Sequence, residues 1–254
     1  MTRAADGRPL QPQPWHPGDS PPPPPSATPQ PLLLLIDRRA RRATAPHDAL
    51  LASLSAAERQ RHAAFRRPAD QQRFLIGRAA LRQLLGHWLE RPPEAVAIVA
   101  GPHGKPHCTG APTFNLSHSG DLILLAFHSH GEVGVDVEQA RPDRDWPPIA
   151  RRMFAPGDVA ALESLPEAEQ AMAFLQAWCR LEARLKACGD GLAGVDRLRR
   201  LEAGGTPLSA GMDWSGGLWD VAVPPGYGAA AALAGRLTGP AVAVAGACHP
   251  NPPR

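Results

Sequence analysis

Gly134-Val135-Asp136-Val137-Glu138 and, further along, Trp178-Cys179-Arg180-Leu181-Glu182-Ala183-Arg184-Leu185-Lys186 decide how this chain is read. The first stretch alternates acids with valines and reads as a strand, so Asp136 and Glu138 point to one face. The second has helical periodicity, which places Glu182 and Lys186, four residues apart, on a shared face. Three carboxylates and a lysine on two regular elements suit a hard cation beside a phosphorylated substrate. Either pair alone is also the pattern of a solvated strand face or a weak surface ion pair. The remaining segments separate these readings.

Around this pair the chain falls into blocks. Phe174, Trp178, Leu181, Leu185 and Cys188 recur at spacings of four, three, four and three, a core stripe on the last of two or three helices within 145–188. Gly189 and Gly191 are expected to stop that helix. Upstream, strands are expected at Ala95 to Val99, Thr113 to Leu116, Leu122 to Phe127 and Glu132 to Glu138, joined by short polar turns as in antiparallel sheet. A helix is predicted from about Ala69 to Leu89, with Phe74, Leu75, Ala79, Leu81, Leu85 and Trp88 as its apolar side. Ser55, followed three residues on by Glu58, marks an earlier helix start. Leu32 to Ile36 reads as a buried strand, and Leu218 to Val223, Ala229 to Leu233 and Ala241 to Ala245 as later ones. Helices and strands segregated in this way predict an α+β fold.

With 254 residues the chain can bury one large or two small cores. Its formal net charge of +3 is no nucleic-acid signature. Basic clusters at Arg38, Arg39, Arg41, Arg42 and at Arg59, Arg61, Arg66, Arg67 suit an acidic partner, a polyphosphate or plain solvation. Cys108, Cys179, Cys188 and Cys248 show no paired spacing, as expected of reduced cytoplasmic thiols. No apolar stretch approaches the ~20 residues that a membrane span needs. Residues 1 to about 30, with the run Pro21 to Pro25, read as a disordered tail or spacer.

Three further segments carry polar chemistry. Asp70-x-x-Arg73-Phe74-Leu75-x-Gly77 presents Arg73, Gly104-Lys105-Pro106 is a turn that presents a lysine, and Phe114-Asn115-Leu116-Ser117-His118-Ser119 is a strand end rich in hydrogen-bonding groups. In order, with Ser55-x-x-Glu58-Arg59, Gly134 to Glu138 and Trp178-x-x-x-Glu182-Ala183-x-x-Lys186-Ala187-x-Gly189-x-Gly191-Leu192, they closely resemble the 4′-phosphopantetheinyl transferases of the large single-chain, surfactin type. The resemblance covers about residues 31 to 250.

The resemblance implies an α+β pseudo-dimer of two similar halves, 31–131 and 132–250, each a small, largely antiparallel sheet packed with helices, with coenzyme A between them. It implies transfer of the 4′-phosphopantetheine arm of coenzyme A to a serine of an acyl or peptidyl carrier protein by a monomer, releasing adenosine 3′,5′-bisphosphate. Asp136, Glu138 and Glu182 would hold Mg²⁺, and Lys186 would contact the pyrophosphate. Glu182 would also act on the serine hydroxyl. Lys105, Ser117 and His118 would grip the nucleotide, with Arg61 a further phosphate contact.

The chain departs from the family twice. Leu181 stands where the helix commonly has a lysine, and Arg180 is the nearest replacement for that charge. Glu58 stands where some members have a basic residue. Two rival readings are a coenzyme A- or carrier-binding module without catalysis and a zinc protein using His103, His107, Cys108, His118, His128 and His130. The retained acids and Lys186 oppose the first. The spacing opposes the second, because it fits no closed tetrahedral set.

Overall fold

A computed structural model describes residues 8–40, 45–101, 104–189, 191–196, 212–213 and 217–236. In chain order the elements are β1 (Gln13–Pro14), β2 (Leu32–Asp37), α1 (His47–Ala52), α2 (Ala56–Ala63), α3 (Pro68–Trp88), β3 (Val99–Ala100), β4 (Pro106–His107), β5 (Thr113–Ser119), β6 (Leu122–His128) and β7 (Glu132–Gln139). There follow α4 (Trp146–Met153), α5 (Pro156–Glu163), α6 (Glu167–Cys188), β8 (Met212–Asp213), β9 (Leu218–Asp220) and β10 (Tyr227–Arg236). This is an α+β chain, as expected.

The first sheet has the order β1-β2-β6-β5, and the second has β7-β10-β8, with β9 also on β10. β1 runs parallel to β2, and every other ladder in these two sheets is antiparallel. The two units share a connectivity. Strand, helices, strand, strand gives β2, α1–α3, β5, β6 in one and β7, α4–α6, β9, β10 in the other. In each, the last strand inserts beside the first.

Period-two alternation builds the layers. In β6, Ile123, Leu125 and Phe127 meet α3, while Leu122, Leu124 and Ala126 meet Val133, Val135 and Val137 of β7. Buried on both faces, β6 is apolar along nearly its whole length. In β10, Ala229 and Ala231 face the first sheet, and Ala230, Ala232 and Ala234 face Cys179, Ala183 and Ala187 of α6. Alanine is an indifferent strand former, and here its small size lets a helix lie close. A Cβ on Gly134 would stand 2.0 Å from Ala183 O and 2.3 Å from Ala187 N, so only glycine fits there.

Local signals hold well at α2, where Ser55 and Glu58 form a reciprocal capping box. Gly189 ends α6 in the left-handed region at φ 77°. Gly191, expected as a second stop, instead opens a 3₁₀ turn over Gly191–Gly194. The strand expected over Ala95 to Val99 is replaced by a 3₁₀ turn at Pro93–Ala95 and the short β3, because Pro92 and Pro93 bend the chain there. Ala241 to Ala245, Arg41, Arg42, His103 and Cys248 lie outside the described residues.

The proline-rich segment is not the free tail that its composition suggests. Leu10 bridges Val221 of the second unit, and β1 pairs with β2 of the first. Trp15 is 4 % exposed and packs in the core under α3. Trp88 Nε1 donates to Pro22 O at 2.9 Å, and His128 Nε2 bonds Thr28 O at 3.0 Å. Proline lacks an N–H but keeps its carbonyl, so an extended proline run can still be tied down by outside donors.

Candidate active site

The site forms where the edge strands of the two sheets, β5 and β7, run side by side. Side chains, rather than a backbone ladder, join them. Asn115 Oδ1 accepts from Val135 N at 3.0 Å, Ser117 Oγ donates to Asp136 Oδ1 at 2.9 Å, and Ser119 Oγ donates to Glu138 Oε2 at 2.8 Å. Asn115, Ser117 and Ser119 alternate along β5, and all three are buried. Asn115 and Ser119 escaped the sequence reading as functional positions, although their spacing within the strand end was the signal.

α6 supplies the rest. Lys186 Nζ donates to Asp136 Oδ1 at 2.6 Å and to Ser117 Oγ at 3.1 Å. Asp136 is only 2 % exposed, so it is a buried acid and not the partly solvated one a strand end suggests. Its second oxygen, Oδ2, is buried and has no hydrogen-bond partner among the described residues. Such an oxygen is costly in an apolar surround unless something positive meets it. Glu182 is half-buried, and its pKa is raised by that burial. Lys186 opposes the rise, while the negative charges of Asp136 and Glu138 add to it. The three acids therefore sense one another across the β7–α6 junction.

Among the described residues no group of three His, Cys, Asp or Glu side chains is placed to hold a metal ion. The acids suit a cation that keeps water and substrate oxygens among its ligands, as Mg²⁺ does. The buried Asp136 Oδ2 and the crowding of negative charge around Glu182 are the observations that fit it.

Of the expected nucleotide contacts, Ser117, Lys105 and His118 lie beside the centre or the last turn of α6, whereas Arg61 sits on α2 against Phe74. Ser117 is buried in the Asp136–Lys186 triangle. Lys105 Nζ donates to Glu132 Oε2 and to Ala187 O, both at 2.9 Å, and so caps the last turn of α6 from the first unit. His118 has its pKa lowered chiefly by desolvation, with the nearby cations Arg73 and Lys186 contributing. Arg73 donates to Gly120 O at 3.1 Å and pairs with Asp70. Arg61 is exposed, with its guanidinium 5.3 Å from the Phe74 ring centre.

Both departures find structural partners. Leu181 is 9 % exposed and packs with Leu185 and Val195. Arg180 does not replace the missing lysine charge at the acids, because its fork closes on Asp220 at 2.7 Å and 2.7 Å. Glu58 pairs with Arg78 and Arg82 while capping α2. The rival zinc reading loses His128, whose Nδ1 accepts from His130 N and Gly131 N at 3.1 and 2.8 Å. Cys179 is buried beside Asp136, and burial pushes its thiol pKa far up, which leaves it inert.

Comparison with known proteins matches the same two units. A model described as 4'-phosphopantetheinyl transferase, N-terminal, matches residues 43–130. One described as the 4'-phosphopantetheinyl transferase superfamily matches residues 132–210. A putative 4'-phosphopantetheinyl transferase, slr0495 of Synechocystis sp., is 40% identical over 147 residues, which cover 56% of this chain and 60% of that protein. The 4'-phosphopantetheinyl transferase HetI of Nostoc sp. is 36% identical over 154 residues, 59% of this chain and 65% of that one. A 4'-phosphopantetheinyl transferase of Bacillus subtilis is 30% identical over 148 residues, 58% of this chain and 65% of its own. The matched part thus spans 60% to 65% of the length of these relatives. Consecutive family models match parts of both units on either side of the β5–β7 junction, and each matched part is similar to 4'-phosphopantetheinyl transferases.

Proposed function

We propose that this chain transfers the 4′-phosphopantetheine group of coenzyme A to a serine of an apo acyl or peptidyl carrier protein, releasing adenosine 3′,5′-bisphosphate. The observation that carries the reading is the Ser117–Asp136–Lys186 triangle, with a buried Asp136 oxygen that meets no hydrogen-bond partner among the described residues. A serine hydroxyl attacking a pyrophosphate builds negative charge on the phosphate oxygens, so positioning and fixed positive charge are the main demands.

In this reading Lys186 is the fixed cation. Asp136 and Ser117 hold its ammonium at the junction, where a point charge suits phosphate oxygens. Asp136, Glu138 and Glu182 would hold Mg²⁺, which when bound supplies further charge neutralisation at the pyrophosphate. Glu182, with its proton affinity raised by burial, is suited to take the serine proton. Lys105, His118 and Arg61 would serve the nucleotide end, and Ser117 would join them from the triangle.

The two units with shared connectivity are proposed as halves of one pseudo-dimer of the large single-chain type, with coenzyme A between them. Their matching strand orders support this. A monomer acting in the cytoplasm completes the proposal. Among the described residues no helix is long and apolar enough to cross a membrane.

The test is mass spectrometry of a panel of apo carrier proteins incubated with the full chain, coenzyme A and Mg²⁺. A phosphopantetheine mass gain on the carrier serine is expected, and it should vanish with chelator. Tight coenzyme A binding without transfer to any carrier would instead indicate a binding module.

A further inference from the structure

α6 is gripped on both flanks. On one side Lys186 meets Asp136 of β7. On the other, Arg180 Nε and Nη2 donate to Asp220 Oδ1 and Oδ2 of β9, each at 2.7 Å, and Gln176 Nε2 donates to the same Oδ1 at 2.8 Å. β7 and β9 lie on opposite edges of β10, so the helix crosses β10 with an ion pair at each edge. Between these pairs the contact is made by Cys179, Ala183 and Ala187 against Ala230, Ala232 and Ala234. Such short side chains make shallow ridges, which resist rolling of the helix weakly. Phe174, Leu181 and Leu185 pack the other faces of α6 against α4, α5 and Val195, and the two flanking pairs add a fixed direction at the edges of β10.

Asp220 is itself held from outside. Its backbone oxygen accepts from Leu10 N at 2.8 Å, and Ala222 N donates to Leu10 O at 2.9 Å. The segment ahead of the first sheet thus adds a strand residue to β9 and fastens the far flank of α6.

We infer that Arg180 and Asp220 are a positioning pair that helps fix the roll of α6, so that Glu182 and Lys186 face the acids of β7. The turnover arm of the test rests on the transferase reading, whereas the spectroscopic arm does not. Both side chains are 38% exposed, which makes the pair a minor source of stability. The two-pronged guanidinium fork contributes direction more than energy.

The test uses the full chain with Asp220→Asn, Arg180→Gln, Arg180→Lys and the reversed double variant Arg180→Asp with Asp220→Arg. Thermal midpoint, kcat and KM for coenzyme A are measured, together with the side-chain ¹⁵N signal of Lys186 assigned through Lys186→Met. In Asp220→Asn and Arg180→Gln, kcat should fall ~10-fold while KM stays within about twofold, since a small misplacement of a charged group slows chemistry. The Lys186 ammonium signal, protected in the parent by Asp136 and Ser117, should broaden in step. Arg180→Lys and the reversed pair should recover part of both effects. Unchanged kcat and an unchanged Lys186 signal in the folded single variants would overturn the inference. So would a loss of activity that only tracks a lowered thermal midpoint. If the parent chain modifies no carrier protein, the transferase reading falls, and the Lys186 signal alone then decides the positioning role.

Discussion

Lys186 Nζ and Asp136 Oδ1 stand 2.6 Å apart and tie the last turn of α6 to the middle of β7. Asp136 is the buried member and Lys186 the half-exposed one, with side-chain exposures of 3% and 28%. Removing Asp136 strips an ammonium and a buried hydroxyl of their acceptor. Asp136→Ala should therefore abolish transfer and also lower stability by ~1–3 kcal/mol, seen as a reduced thermal midpoint. A variant with an unchanged midpoint and near-normal turnover would remove Asp136 from the site.

Glu182 and Lys186 share a helix face but are assigned opposite jobs. Glu182→Gln keeps shape and removes charge, so kcat should drop ~10²-fold, with partial recovery at high Mg²⁺. Lys186→Ala should also lower kcat, but added Mg²⁺ should not restore it, because a fixed cation has been lost from the triangle. Measuring kcat against Mg²⁺ for both variants is decisive, and identical rescue curves would refute the division of roles.

Glu58 offers a stability test remote from the acids. Its burial favours the neutral form, but Arg78, Arg82 and the Ser55 N–H outweigh this and hold its pKa below the ordinary carboxylate value. A depressed folded-state pKa gives stability that is present above the ordinary value and lost as pH falls through the folded one. The midpoint of the parent should thus decline more steeply than that of Glu58→Gln as pH is lowered below ~4.5. Parallel curves in acid would show that the Arg pairs contribute nothing net.

The proline-rich segment predicts a structural effect. Trp15 is 4 % exposed and packs in the α3 core, so Trp15→Ala should cost ~3–5 kcal/mol, as large-to-small core changes do. Deleting residues 2–29 should lower the thermal midpoint substantially, since Leu10, β1 and Trp15 all bond or pack against the body. A deletion variant as stable as the full chain would contradict this packing.

Short-range patterns carried much of the fold. The capping box at Ser55, the long α3, the alternation of β5 to β7 and the αL stop at Gly189 each depend on residues within a turn or two of one another. Side-chain periods of two and 3.6 are local geometry, so the sequence determined most element types, the α+β class and which acids share a strand face. It also determined which positions carry the family motifs.

Tertiary structure alone decided the partnerships across long separations. Lys186 reaches Asp136 and Ser117, Arg180 turns to Asp220 instead of the acids, and Lys105 caps α6. None of these follows from spacing, because each joins elements whose approach is set by packing in the layers between α3 and α6. The proline-rich segment shows the same limit from the other side. Its composition argued for disorder, yet one buried Trp15 and carbonyls met by Trp88 and His128 hold it to the body. Composition counts the residues a segment can bury by itself, whereas order depends on the donors and cavities that the rest of the fold presents to it.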